Sequence, residues 1–224
     1  MAVLEAQNLS YSYRTKYQTV QAVREVSVRM ERGTFYAMIG KSGSGKTTLL
    51  SLLAGLEQPQ NGSVLVDGTN LKEMDLDIYR RSHASVIYQS YNLFPLMSVC
   101  ENVMYPLKLM KKKDTEARIH AQEALSKVGL DSGYWERLPA MLSGGEQQRV
   151  AIARTLAVQS EIILADEPTG NLDTETSAQI IGLFADLAHK ENCCVLVVTH
   201  DPEVARAADV VFHMDSGTLR EETP

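Results

Sequence analysis

Residues 40–47, GKSGSGKT, combine three glycines with a lysine and a threonine in the pattern G-x-x-x-x-G-K-[ST]. Glycines let the backbone turn so that successive N–H groups point at one anion. The Lys46 side chain can reach the terminal phosphates of a nucleotide, and the Thr47 hydroxyl can bind Mg²⁺. We therefore predict that this segment, called the phosphate loop below, binds a nucleotide.

Two adjacent carboxylates form a second group suited to this chemistry. Asp166 and Glu167 follow the apolar run IILA, which is typical of a buried strand. Asp166 at the end of that strand can hold Mg²⁺ through water. Glu167 can act as a general base on the attacking water, or polarise it.

The segment LSGGEQQR, residues 142–149, again places a serine and two glycines before a helical pattern. A helix N-terminus of this kind favours an anion. This second anion-binding turn is not needed to complete the first site. One explanation is that it closes over a nucleotide held by another copy of the same fold.

The elements that must position these groups alternate between strands and helices. Strand-like runs begin near residues 35, 84, 161 and 193, and helical patterns separate them. This order predicts a mostly parallel sheet. The first 30 residues alternate in polarity and are expected to form a small antiparallel layer. Residues 90–158 are mainly helical and are interpreted as an insertion.

Composition restricts the function classes. The 224 residues are 44% hydrophobic, enough for a substantial core, and a net charge of −6 argues against a dedicated nucleic-acid binder. Three cysteines without framework spacing suggest reduced thiols. The longest apolar run, CCVLVV, is far shorter than the roughly 20 residues of a membrane helix, so we expect another chain to supply any membrane span.

The chain resembles the ATP-binding cassette (ABC) ATPases over almost its whole length. Six elements stand in the family's order: GKSGSGKT, Gln89 after a strand, LSGGE, IILADE, NLD at 171–173, and His200 after a strand. The resemblance implies an α/β fold with a RecA-like P-loop NTPase core, an antiparallel β subdomain and an inserted α-helical subdomain. It also implies one domain over residues 1–224. Its core and β layer would comprise 1–89 and 159–224, and its helical part 90–158.

In this family two ATP-binding domains pair head to tail, with two ATP molecules at the interface. The serine and glycines of LSGGE would contact the γ-phosphate bound by the partner, and Asp173 would bridge the two sites. Tyr13 matches the aromatic residue that stacks on adenine, with Tyr11 as the alternative. The nucleotide-binding residues implied are Tyr13, Gly40, Ser42, Gly43, Ser44, Gly45, Lys46, Thr47, Thr48, Ser143, Gly144, Gly145 and Asp173.

The resemblance also assigns catalytic and metal roles. His200 would hydrogen-bond the γ-phosphate, and Gln89 would lie near Mg²⁺ and the attacking water. The catalytic residues implied are Glu167, His200, Gln89 and Lys46, and the metal ligands are Thr47, Gln89 and Asp166. ATP and Mg²⁺ are the cofactors expected.

The sequences ADEPTGNLD and LSGGEQQRVAIAR look most like the ATPase subunits of the MacB, LolD and FtsE group. This likeness implies an ATP-dependent homodimer on the inner, cytoplasmic face of the cell membrane. It would be held there by a transmembrane permease subunit with an extracytoplasmic domain, and a periplasmic or extracellular adaptor is a further candidate partner. No nucleic-acid partner is expected. Residues 91–94, Tyr91-Asn92-Leu93-Phe94, are the candidates for contact with the permease and are called the docking segment below.

Three alternatives stay open at this stage. The first is the ATPase subunit of an importer for amino acids or metals, which a substrate-binding protein encoded nearby would support. The second is a soluble ABC ATPase acting on DNA or ribosomes, although such proteins usually carry a coiled-coil insertion or two cassettes. The third is a non-enzymatic nucleotide switch, against which Glu167 and His200 both argue.

Overall fold

The computed structural model describes residues 2–222, which form two β-sheets and a set of helices. The strands are β1 (Ala2–Arg14), β2 (Thr19–Glu31), β3 (Phe35–Ile39), β4 (Asn61–Val66), β5 (Thr69–Asn70), β6 (Ala84–Tyr88), β7 (Ile162–Asp166), β8 (Cys194–Thr199), β9 (Val210–Asp215) and β10 (Thr218–Glu221). The α-helices are α1 (Lys46–Leu53), α2 (Leu76–Ile78), α3 (Val99–Leu109), α4 (Asp114–Lys127), α5 (Gly144–Val158), α6 (Thr174–His189) and α7 (Pro202–Ala207). A π-helical turn (Tyr79–His83) follows α2, and 3-10 turns cover Leu71–Glu73 and Pro139–Met141.

The central sheet has the strand order β10-β9-β3-β8-β7-β6 and is parallel except for the pairing of β10 with β9. Its inner strands are short apolar runs, and all six residues of β8 are buried. The carboxyl ends of parallel strands meet at one edge of the sheet, where α/β folds bind ligands. Gly40, Gln89, Glu167 and His200 each follow such a strand directly, so the topology brings them to the same edge.

The second sheet, with the order β2-β1-β4-β5, is antiparallel. The burial of β2 alternates along its second half, which is the pattern of a sheet with one solvated face. At the far end of the β1–β2 ladder, Tyr13 pairs with Val20. This end of the sheet extends over the start of α1, because the Tyr13 hydroxyl lies 3.3 Å from Thr48 Oγ1.

Two apolar cores occupy opposite faces of the central sheet. One joins alternate residues of its strands to α3, α4, α5 and α6, while the other joins the intervening residues to α1 and the antiparallel sheet. Along β8, for example, Val195 and Val197 belong to the first core, and Leu196 and Val198 to the second. The three cysteines are buried, and none is bridged to another within the described chain.

The predicted mostly parallel sheet, antiparallel layer and helical insertion are all confirmed. The helices α3, α4 and α5 follow one another between β6 and β7, with no strand between them in the described residues. Within residues 2–222, no helix has the length and apolar character needed to cross a bilayer.

Candidate nucleotide-binding site

A cleft of about 750 Å³ opens at the carboxyl edge of the central sheet. It joins the phosphate loop to the residues after β6, β7 and β8 and to the end of the β1–β2 ladder. The cleft is lined by Tyr13, Val20, Ala22, Gly40, Lys41, Ser42, Gly43, Gly45, Lys46, Thr47, Thr48, Gln89, Glu167 and His200. Residues from six separate stretches of sequence therefore share one cavity.

The shape of the phosphate loop depends on Gly45, the residue directly before α1. Gly45 has φ +109°, and a Cβ at this position would lie 2.1 Å from the carbonyl oxygen of Ala22. A larger residue is therefore excluded both by its conformation and by the neighbouring strand. The Lys46 ammonium donates to the carbonyls of Gly40 (2.8 Å) and Lys41 (3.1 Å), so its side chain folds back over the loop.

The phosphate loop contains an unsatisfied buried hydroxyl, which tests whether the cleft fits a nucleotide. Ser44 is 6% exposed, and its Oγ has no hydrogen-bond partner among residues 2–222. Buried polar groups are nearly always paired, so such an orphan marks a place for a ligand or water. The first turn of α1 carries no acidic side chain, so the positive end of its dipole faces the loop uncompensated. These features fit a bound phosphate group.

Thr47 and Asp166 form the pair suited to a divalent cation. Thr47 Oγ1 donates to Asp166 Oδ1 across 3.3 Å. Burial raises the pKa of the Asp166 carboxyl above its ordinary value, and the hydrogen bond from Thr47 only partly opposes this. A hydroxyl and a carboxylate are the hard oxygen ligands that Mg²⁺ prefers. The pair therefore fits the predicted metal, which would favour the ionised carboxylate.

Glu167 is held by both its backbone and its side chain. Its backbone has φ +47°, and its N–H donates to the Val198 carbonyl at 2.8 Å. A residue other than glycine in this left-handed region carries strain, and such strain concentrates at functional sites. Thr199 Oγ1 donates to Glu167 Oε2 (3.1 Å), and His200 Nδ1 lies 3.0 Å from Oε1. The predicted base and the predicted phosphate-binding histidine are therefore in direct contact.

Gln89 lies in the cleft beside the turn that follows β7. Its Nε2 donates to Asn171 Oδ1 (3.3 Å), and Asn171 Nδ2 donates back to the Gln89 carbonyl (3.4 Å). Gly170 is packed against this amide, since a Cβ there would lie 2.9 Å from Gln89 Nε2. Gln89 is thus linked to the segment that leads from Glu167 to Asp173.

Tyr13 and Tyr11, the two candidates for adenine stacking, occupy different environments. The Tyr13 ring lines the cleft and is 45% exposed. The Tyr11 ring packs edge-on against that of Tyr13, with 5.0 Å between centroids, and its hydroxyl donates to Glu57. Of the two, only Tyr13 belongs to the described lining of the cleft.

The second anion-binding turn, Ser143–Gly145, lies outside the cleft lining and is called the signature turn below. Ser143 is the N-cap of α5: its hydroxyl accepts from the Glu146 N–H, and its own N–H donates to the Glu146 carboxylate at 2.7 Å. Burial works against ionisation of Glu146, but hydrogen bonds from Ser143 and from the Tyr134 hydroxyl outweigh it and lower the pKa. The turn is thus rigidly capped, with its amides at the N-terminus of a 15-residue helix.

Asp173 lies beside the signature turn and, like it, is absent from the cleft lining. It caps α6 by accepting from the N–H and the hydroxyl of Thr176, at 2.9 and 2.6 Å. The methyl group of Thr176 packs against Gly145 so closely that a Cβ there would lie 2.3 Å away. Most of the predicted site residues therefore lie in the cleft lining, and a second group lies where α5 and α6 begin. Ser44 and Asp166 are outside the lining but directly beside it, in the phosphate loop and at the end of β7.

Sequence reasoning missed two residues that contact the cleft side chains. Thr199 binds Glu167, and Asn171 binds Gln89. Both stand next to motif residues, in VTHD and NLD, and this adjacency is the signal that could have found them. A neighbouring groove of about 600 Å³ shares Glu167 and His200 with the cleft and continues toward α6 and α7.

Comparison with known families and proteins agrees with this geometry. A family model described as ABC transporter matches residues 23–170. The lipoprotein-releasing system ATP-binding protein LolD of Chromohalobacter salexigens is 41% identical over 223 residues, covering 98% of this chain and 94% of that protein. The bacitracin export ATP-binding protein BceA of Halalkalibacterium halodurans is 36% identical, covering 98% of this chain and 87% of its own length.

An import protein is equally similar over a shorter part of its length. The methionine import ATP-binding protein MetN of Cutibacterium acnes is 42% identical over 218 residues, which cover 96% of this chain and 60% of that protein. Among solved structures, the dimeric bacterial ABC transporter cassette MJ0796 superposes with a TM-score of 0.89 and is 36% identical, with 98% of each chain covered. A second structure of MJ0796, a dimeric post-hydrolysis state bound to ADP and Pi, matches equally well.

Proposed function

This chain belongs to the ABC transporter family as an ATP-binding subunit with ATPase activity, and we propose that it drives a membrane complex of the LolD and BceA kind. Such a complex would export or extract peptides, antibiotics or lipoproteins, or would transmit the movement of the ATPase to its outer domain. The fold of this chain is that of the ABC ATPases. The observation that carries the proposal is that Glu167 and His200 share one cleft with an intact phosphate loop.

Binding of ATP is assigned to the cleft. The N–H groups of the phosphate loop and the Lys46 ammonium meet the phosphates, and the buried Ser44 hydroxyl gains the partner it lacks. The exposed ring of Tyr13 stacks on the adenine. Thr47, Asp166 and Gln89 would hold Mg²⁺, which neutralises phosphate charge when bound.

Hydrolysis is assigned to Glu167 and His200. The Glu167 carboxylate, fixed between Thr199 and His200, accepts a proton from the attacking water. His200 Nδ1 contacts the Glu167 carboxylate in this structure, and the exposed histidine side chain has room to turn and donate to the γ-phosphate instead. Phosphate binding and proton transfer are therefore assigned to two neighbouring side chains.

Dimerisation is assigned to the signature turn and Asp173. Both lie outside the cleft of their own chain, so we propose that they meet the nucleotide of a second copy. The capped N-terminus of α5 presents its amides and partial positive charge to the γ-phosphate. Closure of the homodimer then depends on that phosphate, and its loss on hydrolysis opens the dimer.

The substitution Glu167→Gln tests the catalytic assignment. The variant is expected to bind ATP normally but to hydrolyse it at least about 100-fold more slowly, because the general base is lost. It should accumulate as an ATP-dependent dimer in size-exclusion chromatography with light scattering. Glu123→Gln, at an exposed position of α4, is the matched control and should behave as wild type. Hydrolysis by the Glu167 variant at the wild-type rate would refute the assignment of the base.

The membrane partner is proposed to dock on the docking segment and the residues just after it. Phe94 and Leu96 are 38% and 90% exposed, which is unusual for apolar side chains placed so near each other. A transmembrane permease with a large extracytoplasmic domain is the proposed occupant, and it would hold this chain at the inner face of the membrane. No name among the relatives reported above mentions an adaptor protein, and the proposal includes none.

Co-purification tests the partner. The tagged chain is expressed in its native host, membranes are extracted in mild detergent, and bound proteins are identified by mass spectrometry. We expect a permease with few transmembrane helices and a large outer domain, which Leu96→Ser should release and the control Ile119→Ser on α4 should retain. The likeness to MetN favours one alternative, an importer, and recovery of a many-helix permease with a solute-binding protein would establish it instead.

A further inference from the structure

Thr199, the last residue of β8, is a polar side chain in an otherwise apolar buried strand. Its exposed fraction is 0%, and the four residues before it are valines and a leucine that are equally buried. Valine has nearly the same shape as threonine, so shape alone does not require the hydroxyl at this position. A buried hydroxyl is retained at no net cost only when it is hydrogen-bonded.

Both hydrogen bonds of this hydroxyl are defined. Its oxygen accepts from the Asp201 backbone N–H at 3.0 Å, and it donates to Glu167 Oε2 at 3.1 Å. Since an N–H can only donate and a hydroxyl carries a single proton, that proton must point at the carboxylate. The parallel register pairs Asp166 of β7 with Val198 of β8. The next residue on each strand is Glu167 and Thr199, respectively, so these two residues lie side by side at the sheet edge.

The two groups that contact the Glu167 carboxylate differ in mobility. His200 Nδ1 lies 3.0 Å from both carboxylate oxygens, but its side chain is 75% exposed. Thr199 belongs to the central sheet and is closed off from solvent. The exposed histidine has room to rotate when a nucleotide binds, whereas the buried threonine hydroxyl would lose both of its hydrogen bonds by rotating.

We infer that Thr199 is a positioning residue, which holds the Glu167 carboxylate in the orientation that aligns the attacking water. The inference rests on the proposed function, in which Glu167 is the base. Thr199 borders the neighbouring groove rather than the nucleotide cleft, and its hydroxyl donates to Glu167, so its action is placed on Glu167 rather than on ATP. A carboxylate held at Oε2 by Thr199 leaves Oε1 to the attacking water once His200 has turned toward the phosphate, and small errors in such positioning are costly to the rate.

The test compares Thr199→Val, which removes the hydroxyl, with Thr199→Ser, which keeps it and removes the methyl group. For Thr199→Val, kcat of ATP hydrolysis is expected to fall about 10- to 100-fold while KM stays within about twofold, because the lost interaction acts in the transition state. Thr199→Ser should retain kcat within about threefold, since the donor to Glu167 is preserved. Thr155→Val is the matched control: it removes another buried hydroxyl, which bonds only within its own helix, and should leave kcat unchanged.

Each result supports or overturns the inference. Normal kcat in Thr199→Val, with Glu167→Gln inactive, overturns the role of Thr199 and leaves the proposed function intact. Normal activity of Glu167→Gln overturns the base assignment itself. A loss of kcat in the serine variant together with normal kcat in the valine variant would show that methyl packing, not the hydroxyl, matters. If the valine variant does not fold, Thr199→Ala removes the same hydroxyl without adding apolar volume.

Discussion

Arg154 joins α5 to the docking segment, and replacing it gives a sharp test of how the helical region is connected. Its guanidinium donates to the carbonyls of Asn92 (2.8 Å) and Tyr91 (3.1 Å). Both of these residues have positive φ, +48° and +59°. Two successive left-handed residues other than glycine need outside support, and Arg154 supplies it. Arg154→Met keeps the length and apolar stem of the side chain and removes only the donors.

The size of the effect follows from three terms. Each hydrogen bond from a charged donor is worth roughly 1.5–3 kcal/mol, so the pair supports the loop by about 3–6 kcal/mol. Burial lowers the pKa of Arg154, because removing the guanidinium charge from water is unfavourable. This desolvation cost opposes the stabilisation by the two hydrogen bonds. The methionine variant carries no charge and does not incur it. The exposed Asn92 carbonyl can also find water. We therefore expect the free energy of unfolding to fall by about 2–3 kcal/mol, below the sum of the two bonds.

Urea unfolding measures the global loss, and amide hydrogen exchange locates it. Exchange in residues 90–98 should accelerate more than exchange in the central sheet, because the two supported carbonyls lie in this loop. Arg149→Met is the matched control on the same helix. Arg149 donates to the Val128 carbonyl (3.0 Å) and also contacts Gln179, so its loss should destabilise the protein without affecting residues 90–98.

Two outcomes would refute this reasoning. Unchanged exchange at residues 90–98 in Arg154→Met would show that the loop holds its conformation without the guanidinium. The same acceleration in Arg149→Met would show that any weakening of α5 loosens the loop, in which case Arg154 has no specific part.

The remaining predictions concern a buried amide and an exposed carboxylate. Gln148 is fully buried, and neither polar atom of its side-chain amide has a hydrogen-bond partner in the described chain. Gln148→Met should therefore raise the free energy of unfolding, measured by urea titration, by about 1–2 kcal/mol. A decrease would mean that the amide is hydrogen-bonded. Asp209 has a lowered pKa: burial opposes ionisation, but hydrogen bonds from His189 and the Phe35 N–H outweigh it. Because the folded pKa lies below the unfolded value of about 3.9, the stabilisation is present above that value and is lost as pH falls through the folded pKa. The stability difference between wild type and Asp209→Asn should therefore be full at neutral pH and shrink in acid, and a difference independent of pH would contradict this.

The strands and the convergence at one sheet edge could be predicted because each depends on a local pattern and one topological rule. The run FYAMI predicts a strand at 35–39, and β3 has those bounds. Once the strands are parallel, the residues after them must share an edge, which brings Gln89, Glu167 and His200 to the phosphate loop. The helix predicted to begin after Ser143 is likewise confirmed, because the capping box is encoded within four residues.

Contacts between distant side chains could not be predicted in this way. Arg154 lies 62 residues from Asn92, and nothing in the pattern of α5 separates it from Arg149. Thr199 has the residue type of an ordinary strand, and its hydrogen bond to Glu167 depends on the register of β7 and β8. The division into 1–89 with 159–224 and 90–158 stays a prediction.

The hydrogen bonds of the docking segment bear on the predicted boundary between the core and the helical subdomain. Asn102 of α3, which is fully buried, accepts from the Phe94 N–H at 2.7 Å and donates to the Phe94 and Met97 carbonyls. Arg154 of α5 holds Tyr91 and Asn92. Gln89, by contrast, is bonded to Asn171 beyond β7.

Between residues 89 and 91 the chain therefore changes from hydrogen bonds with the core to hydrogen bonds with α3 and α5. The left-handed backbone of Tyr91 and Asn92 begins at the same place. The same docking segment also reaches the signature turn, since a Cβ on Gly144 would lie 2.9 Å from the Tyr91 hydroxyl. A partner that pushes on this loop would consequently move α3, α5 and the signature turn together. Gln89 would stay with the core, because it is bonded to Asn171 rather than to the helical region. In the proposed dimer, the resulting displacement would fall between one copy's signature turn and the other copy's phosphate loop.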